Sequence, residues 1–164
     1  MNLNQTIYPF KIKLLSGKEQ ILSAYTNKVL LIVNTATACS FTPQLQELQD
    51  LRNEFADKGF EVLGFPSNDF GNQEPLTENE INAFCEVNYG VKFPVFEKVM
   101  VRGEAAHPLF KFLRDKKLNG HLNSTPRWNF HKYLINRQGE VVDYFYSFTK
   151  PSSSKVKKKI QRLL

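Results

Sequence analysis

No stretch of this sequence is apolar enough to cross a bilayer. The longest purely apolar run is residues 29–33, whereas a spanning helix needs about 20 residues. Residues 1–20 lack the apolar segment of a secretory signal. Cysteine is scarce, with two in 164 residues, too few for a disulfide framework. Without an export signal, the expectation is two free thiols in a reducing cytoplasm. The three histidines, His107, His121 and His131, share no metal-ligand spacing with one another or with the cysteines, so no metal site is expected. Repeats, linkers and composition breaks are also missing. A chain of this length buries roughly 70% of its unfolded surface and needs no disulfide or metal staple. Hydrophobic residues at 41% and charged residues at 23% exclude collagen-like, coiled-coil and disordered classes. One domain over residues 1–164 is expected.

The net charge of +6 is unevenly placed. Lys150, Lys155, Lys157, Lys158, Lys159 and Arg162 stand in the last fifteen residues, which contain no acid. Positions 1–149 then hold 16 basic and 16 acidic residues. A nucleic-acid-binding domain spreads its basic charge over a folded face and adds a recognisable motif; none is present. The tail reads as a helix over residues 152–164 with a serine cap. Val156, Ile160 and Leu163 or Leu164 would dock it, and Lys155, Lys158, Lys159 and Arg162 would face water. A membrane-binding or nucleic-acid-binding tail is the other reading of that stripe.

The pattern along the chain is α/β. Residues 7–15 and 20–25 flank Ser16-Gly17 and read as a hairpin. Residues 28–34 form a near-continuous aliphatic run, the mark of a strand buried on both faces. Residues 35–41 connect it to a helix that Thr42 would cap, with Pro43 in the first turn. Leu45, Leu48, Leu51 and Phe55 give that helix an apolar face, and Gly59 ends it. A second buried strand covers residues 60–65. After a loop over 66–75, Thr77 and Glu80 form a capping-box signature. The helix that follows places Ile81, Phe84 and Cys85 on one face and stops at Gly90. His107-Pro108 opens a third helix running to about residue 117. Residues 132–136 and 140–146 flank Arg137-Gln138-Gly139 as a closing hairpin.

Cys39 lies where a strand hands over to a helix. Helix N-termini carry partial positive charge and unpaired N–H groups, an environment that suits a reactive thiolate. A thioredoxin-type C-x-x-C would need cysteine at 42, where Thr42 stands. A peroxiredoxin would carry threonine and proline where this chain has Ala36 and Ile32.

Three blocks carry a family resemblance: KVLLIVNTATACSFTPQ (28–44), GFEVLGFPSNDFGNQEP (59–75) and WNFHKYLI (128–135). In this order they resemble the signatures of the glutathione peroxidase family, and within it the short, cysteine-containing, thioredoxin-dependent members. The resemblance runs from about residue 6 to the end. It implies a thioredoxin fold, with a central mixed sheet flanked by helices. It also implies a catalytic tetrad of Cys39, Gln73, Trp128 and Asn129, with no cofactor. The residue types suit that chemistry. A cysteine thiolate attacks the peroxide oxygen. Neutral amides donate hydrogen bonds to sulfur or oxygen without acting as bases. An indole adds one N–H and an apolar wall. Taken singly, Gln73 is a loop residue, Trp128 a core residue and Asn129 a turn residue.

Cys85 reads on its own as a buried core cysteine. In the thioredoxin-dependent members the cysteine at this place resolves, so the resemblance implies a Cys39–Cys85 disulfide formed on a Cys39 sulfenic acid. Bridging needs Cα atoms within about 7 Å, so the helix would open locally. Its short length and its asparagines at 79, 82 and 88 fit that demand. Ser67 stands where many relatives carry cysteine, and Asp69 where they carry glutamine. The long loop used for tetramer formation in some animal members is missing, which implies a monomer. The function expected is a peroxidase for hydrogen peroxide and organic or lipid hydroperoxides, recycled by thioredoxin. A glutathione-recycled peroxidase and a peroxide sensor passing its disulfide to a partner remain open.

Overall fold

The computed structural model describes residues 5–164. Among the described residues, six strands and five α-helices follow one another. An antiparallel pair, β1 (Lys11–Lys13) and β2 (Glu19–Ile21), precedes β3 (Val29–Thr35), α1 (Gln44–Phe55), β4 (Phe60–Pro66) and α2 (Glu78–Tyr89). Then come α3 (Pro108–Arg114), α4 (Lys116–Asn119), β5 (Lys132–Ile135), β6 (Val141–Phe145) and α5 (Ser154–Leu163). The main sheet has the order β4-β3-β5-β6. β3 pairs with β4 in parallel and with β5 antiparallel, and β5 pairs with β6 antiparallel. It is the expected mixed sheet. No helix among the described residues is long and apolar enough to cross a membrane.

All seven residues of β3 are buried, and their alternation divides the core in two. Val29, Leu31 and Val33 pack with Leu45, Leu48 and Phe55 of α1, with Ile81 and Cys85 of α2, and with Val156 and Ile160 of α5. Leu30 and Ile32 face the other side, with Ile12 of β1 and Leu109, Phe110, Phe112 and Leu113 of α3. Helices therefore flank both faces.

Several local expectations are corrected. The hairpin is shorter than its apolar pattern predicts, with three residues per strand. Past Ile21 the chain tightens into a 3₁₀ turn over Leu22–Tyr25, which buries Leu22. The third helix ends at Arg114, because Asp115 is extended and its side chain caps α4. Thr42 does not cap α1; its hydroxyl is used inside the preceding loop, as described below. The expected serine cap of α5 is Ser153, while the Ser152 hydroxyl donates to Glu47. The basic stripe is also less free than the sequence predicts. Lys159 pairs with Asp143, and Lys157 with Glu54 at 3.3 Å. Lys155, Lys158 and Arg162 are exposed.

Candidate active site

The sheet topology brings the predicted residues to one edge. Cys39 follows β3, Gln73 follows β4, and Trp128 and Asn129 precede β5. Val33 is paired with Gly64 on the parallel side and with Lys132 on the antiparallel side. The end of β3, the end of β4 and the start of β5 therefore lie side by side.

The Cys39 loop is braced from within. Thr42 Oγ1 accepts from the Cys39 N–H and donates to the Ala36 carbonyl, both at 2.9 Å. The Phe41 N–H donates to Cys39 Sγ at 3.4 Å, so a backbone donor already faces the sulfur. Cys39 is only 9% exposed.

The Gln73 loop is tied to the Cys39 loop, because the Ala38 N–H donates to the Gln73 carbonyl at 3.0 Å. Asn129 Nδ2 donates to Gln73 Oε1 at 3.0 Å. That bond leaves the two donors of Gln73 Nε2 for another acceptor. Asn129 is fully buried, and its Oδ1 has no partner. Trp128 is 36% exposed, with its ring 5.8 Å from that of Phe70. Gly71, at φ +63°, lets the two loops meet. A Cβ there would sit 3.1 Å from the indole and 3.5 Å from Gln73 Cγ. The structure thus joins Gln73, Trp128 and Asn129 in one contact set on the Cys39 loop.

Of the two departures from the family pattern, Asp69 acquires a role. Asp69 Oδ2 accepts from the N–H groups of Val101 and Arg102, at 2.7 and 3.2 Å, and pins the loop to a distant segment. Ser67 is buried, with its N–H on the Thr35 carbonyl.

Cys85 stands apart from this set. It lines a cleft of about 190 Å³ with Leu14, Ser16, Val91 and Phe93. Burial pushes its thiol up to about 12, and the Glu74 charge adds to the shift. Both cysteines are free thiols.

Four supporting residues carry no signal that single-residue reasoning would single out. Asn34 Nδ2 donates to the Trp128 carbonyl at 3.1 Å, while its own carbonyl accepts from the Phe130 N–H at 2.7 Å. This clamp brackets Asn129 and holds Phe130 at φ 66°, a left-handed conformation costly for an aromatic residue. Glu74 is fully buried. Its carboxylate accepts from the Thr37 hydroxyl, and its Oε1 has no partner. Burial raises its carboxyl, partly offset by Thr37 and Lys98. Lys132 is fully buried on β5, and its ammonium donates to the carbonyls of Phe130, Tyr146 and Ser147. Gln44 Nε2 donates to the same Ser147 carbonyl at 2.8 Å. An isolated charged lysine inside a strand and a polar pair after an exposed loop are the only sequence hints.

Beside Trp128 runs a groove of about 380 Å³, walled by Phe41, Trp128, Tyr146 and Phe148, with Arg127 and His131 on its lining. Tyr146 and Phe148 stack with ring centres 5.8 Å apart. Burial drops His131 to about 4, helped by the charges of Lys132 and Arg127, so its ring is neutral near pH 7.

A family model described as glutathione peroxidase matches residues 7–114. The chain is 52% identical over 159 residues to glutathione peroxidase homolog BsaA of Halalkalibacterium halodurans, covering 97% of this chain and 99% of that protein. It is 52% identical over 155 residues to hydroperoxy fatty acid reductase gpx1 of a Synechocystis species, covering 90% of each. The crystal structure of Trgpx in its apo form superposes with a TM-score of 0.74 at 36% identity, covering 96% of this chain and 94% of the other. The fold around the site is the thioredoxin fold. A model spanning the Cys39 loop, the Gln73 loop and α2, together with relatives that match almost end to end, establishes that this chain belongs to the glutathione peroxidase family, as a thiol peroxidase.

Proposed function

We propose that Cys39 is the peroxidatic thiol, that Gln73, Trp128 and Asn129 supply the donors around it, and that Cys85 resolves its oxidised form. The Cys39 thiolate attacks one peroxide oxygen, the O–O bond breaks, and the other oxygen leaves with a proton as water or alcohol. Cys39 becomes a sulfenic acid. In this reading Gln73 Nε2 and the Trp128 indole N–H hold the oxygen that gains charge. Cys85 then attacks the Cys39 sulfur, water leaves, and a disulfide remains. A dithiol protein of the thioredoxin class reduces it, and the 164 residues act as one monomeric domain in a reducing cytoplasm.

The observation that carries this reading is the chain of bonds from Ala38 to Gln73 and from Gln73 to Asn129, which fixes two amides on the Cys39 loop. The apolar groove beside Trp128 supports organic and lipid hydroperoxides as substrates. Steady-state peroxide reduction with thioredoxin and its reductase, run beside glutathione and its reductase, tests the reductant. Turnover with thioredoxin that is lost in Cys85→Ser is expected. Equal turnover of Cys85→Ser with glutathione would make Cys85 dispensable and replace thioredoxin by glutathione.

A further inference from the structure

Reading Cys85 as the resolving thiol raises a chemical problem. A thiol must lose its proton to attack a sulfenic acid. Cys85 is buried, 5% exposed, and held almost entirely protonated at neutral pH. Helix α2 itself offers little help. Glu78 and Glu80 lie in its first turn, away from Cys85, and Glu80 is engaged in the capping box with Thr77. The charge of Glu74 adds to the rise that burial gives the Cys85 thiol, and Glu74 is tied to the Cys39 loop that Cys85 must reach.

Glu74 sits between the two cysteine-bearing segments. One carboxylate oxygen accepts from the hydroxyl of Thr37, two residues before Cys39. The other, Oε1, is buried and has no hydrogen-bond partner. The side chain is fully shielded from solvent. Its backbone is anchored on both sides: the Glu74 N–H donates to Asn68 Oδ1 at 2.9 Å, and the Lys98 ammonium donates to the Glu74 carbonyl at 3.4 Å. A buried carboxylate oxygen with no donor is costly to keep for structure alone. It is an acceptor waiting for a proton.

We propose that Glu74 is the general base of the resolving step. Its free carboxylate oxygen takes the proton of the Cys85 thiol as that sulfur attacks Cys39. The new S–S bond forms while the S–O bond of the sulfenic acid breaks, and its electron pair leaves with the hydroxyl group. The proton held by Glu74 then joins that hydroxide to give water. The Cys85 sulfur is oxidised and the Cys39 sulfur reduced, so the step needs no co-reactant beyond the hydroperoxide already consumed. As Cys85 approaches Cys39 it also approaches Thr37, so the base stays within reach during the movement of α2. This inference rests on the resolving role proposed for Cys85.

Burial raises the Glu74 carboxyl, and Lys98 acts in the opposite direction. A raised carboxyl is more basic than that of an exposed glutamate, which suits proton transfer from a thiol.

The experiment uses the full chain and one equivalent of hydrogen peroxide. Rapid quenching with dimedone and an alkylating agent, followed by mass spectrometry, separates sulfenic acid from Cys39–Cys85 disulfide over time. In Glu74→Gln, disulfide formation should slow at least tenfold more than sulfenic acid formation does, and sulfinic acid at Cys39 should accumulate at higher peroxide. Disulfide formation within twofold of the wild-type rate overturns the assignment of Glu74 while leaving Cys85 as the resolving thiol. Absence of any disulfide in the wild-type protein overturns the role of Cys85, and the inference with it. A second measurement needs no variant. With Glu74 as base, the wild-type resolving rate rises through one carboxyl titration and then levels off. A rate that instead climbs about tenfold per pH unit through pH 8 means that hydroxide alone deprotonates Cys85, and excludes Glu74.

Discussion

Helices α1 and α2 are equally long, at twelve residues each, and each is tied to one cysteine, yet they are held in opposite ways. Six residues of α1 are buried: Gln44, Leu45, Leu48, Gln49, Leu51 and Phe55. Only Ile81 and Cys85 are buried on α2. The ends reverse the picture. α1 begins without a side-chain cap, whereas α2 has a complete capping box between Thr77 and Glu80 and a left-handed Gly90 at its close. A fully buried aliphatic side chain contributes roughly 1.5–3 kcal/mol, and a cap about 1 kcal/mol. The core therefore holds α1 more firmly than α2, and the termini of α2 supply a share that α1 lacks. The difference assigns the helices different tasks. The Cys39 loop leads into the more deeply buried of the two helices. If Cys85 resolves the oxidised Cys39, α2 is the element that must open.

The sharpest test of this contrast is chemical. Cys39→Ser should lower peroxide turnover by more than about 10³-fold, as expected for removal of a nucleophile. Cys85→Ser should retain a single stoichiometric burst of peroxide consumption and lose thioredoxin-supported turnover. Burst and steady-state assays together read both outcomes. Sustained turnover in Cys39→Ser would remove the rigid side of the comparison.

Stability gives the next largest effect. Leu48→Ala, in the fully buried face of α1, should cost about 2–5 kcal/mol in urea unfolding. Val87→Ala on α2 should change stability by no more than about 0.5 kcal/mol, because Val87 is 81% exposed. Comparable losses at the two sites would mean that α2 is bound into the core after all.

A smaller effect sharpens the point about termini. Thr77→Ala should weaken α2 by about 1 kcal/mol. Amide exchange over residues 78–89 should quicken while α1 stays protected, and disulfide formation should become faster. The same exchange pattern is expected in the wild type after oxidation. Equal protection of α2 in the reduced and oxidised protein would show that the helix does not open.

The smallest expected effect concerns pH. Burial lowers Lys132 from 10.5 to about 7, with Glu47 acting weakly against it. Between those values the unfolded chain binds more protons than the folded one, so stability rises as pH increases through that window. Below about 7 both states are charged and the gain is absent. Lys132→Met should flatten the rise between pH 7 and about 8.5, read from urea midpoints. That range lies below the window in which Cys85, raised from 9.0 to about 12, acts in the opposite direction.

Much of this was legible in the residues because it rests on short-range rules. The aliphatic run of β3, the capping box of α2 and the glycine after it are local signals, and each appears where its pattern places it. The three blocks around Cys39, Gln73 and Trp128 were readable as a family pattern, and the parallel and antiparallel pairings of β3 explain why they meet. What stayed hidden depends on partners far away in sequence. Thr42 looks like a helix cap, but its hydroxyl does more inside the loop, between Cys39 and Ala36. Asn34 and Lys132 lie inside strands and reveal themselves only through carbonyls that the fold brings to them. Lys159 looks like one more solvated lysine until β6 presents Asp143. The N-terminal hairpin is shorter than its apolar pattern suggests, because those residues serve packing rather than pairing.

Trp128 is the chain's sole tryptophan, and it stands half in solvent beside the Cys39 loop. All indole emission from this protein therefore originates beside the Cys39 loop. Nearby charge, sulfur oxidation state and contact with Phe70 all bear on that one chromophore. The molecule carries its own optical reporter, so each stage of its redox cycle is open to observation without an attached label.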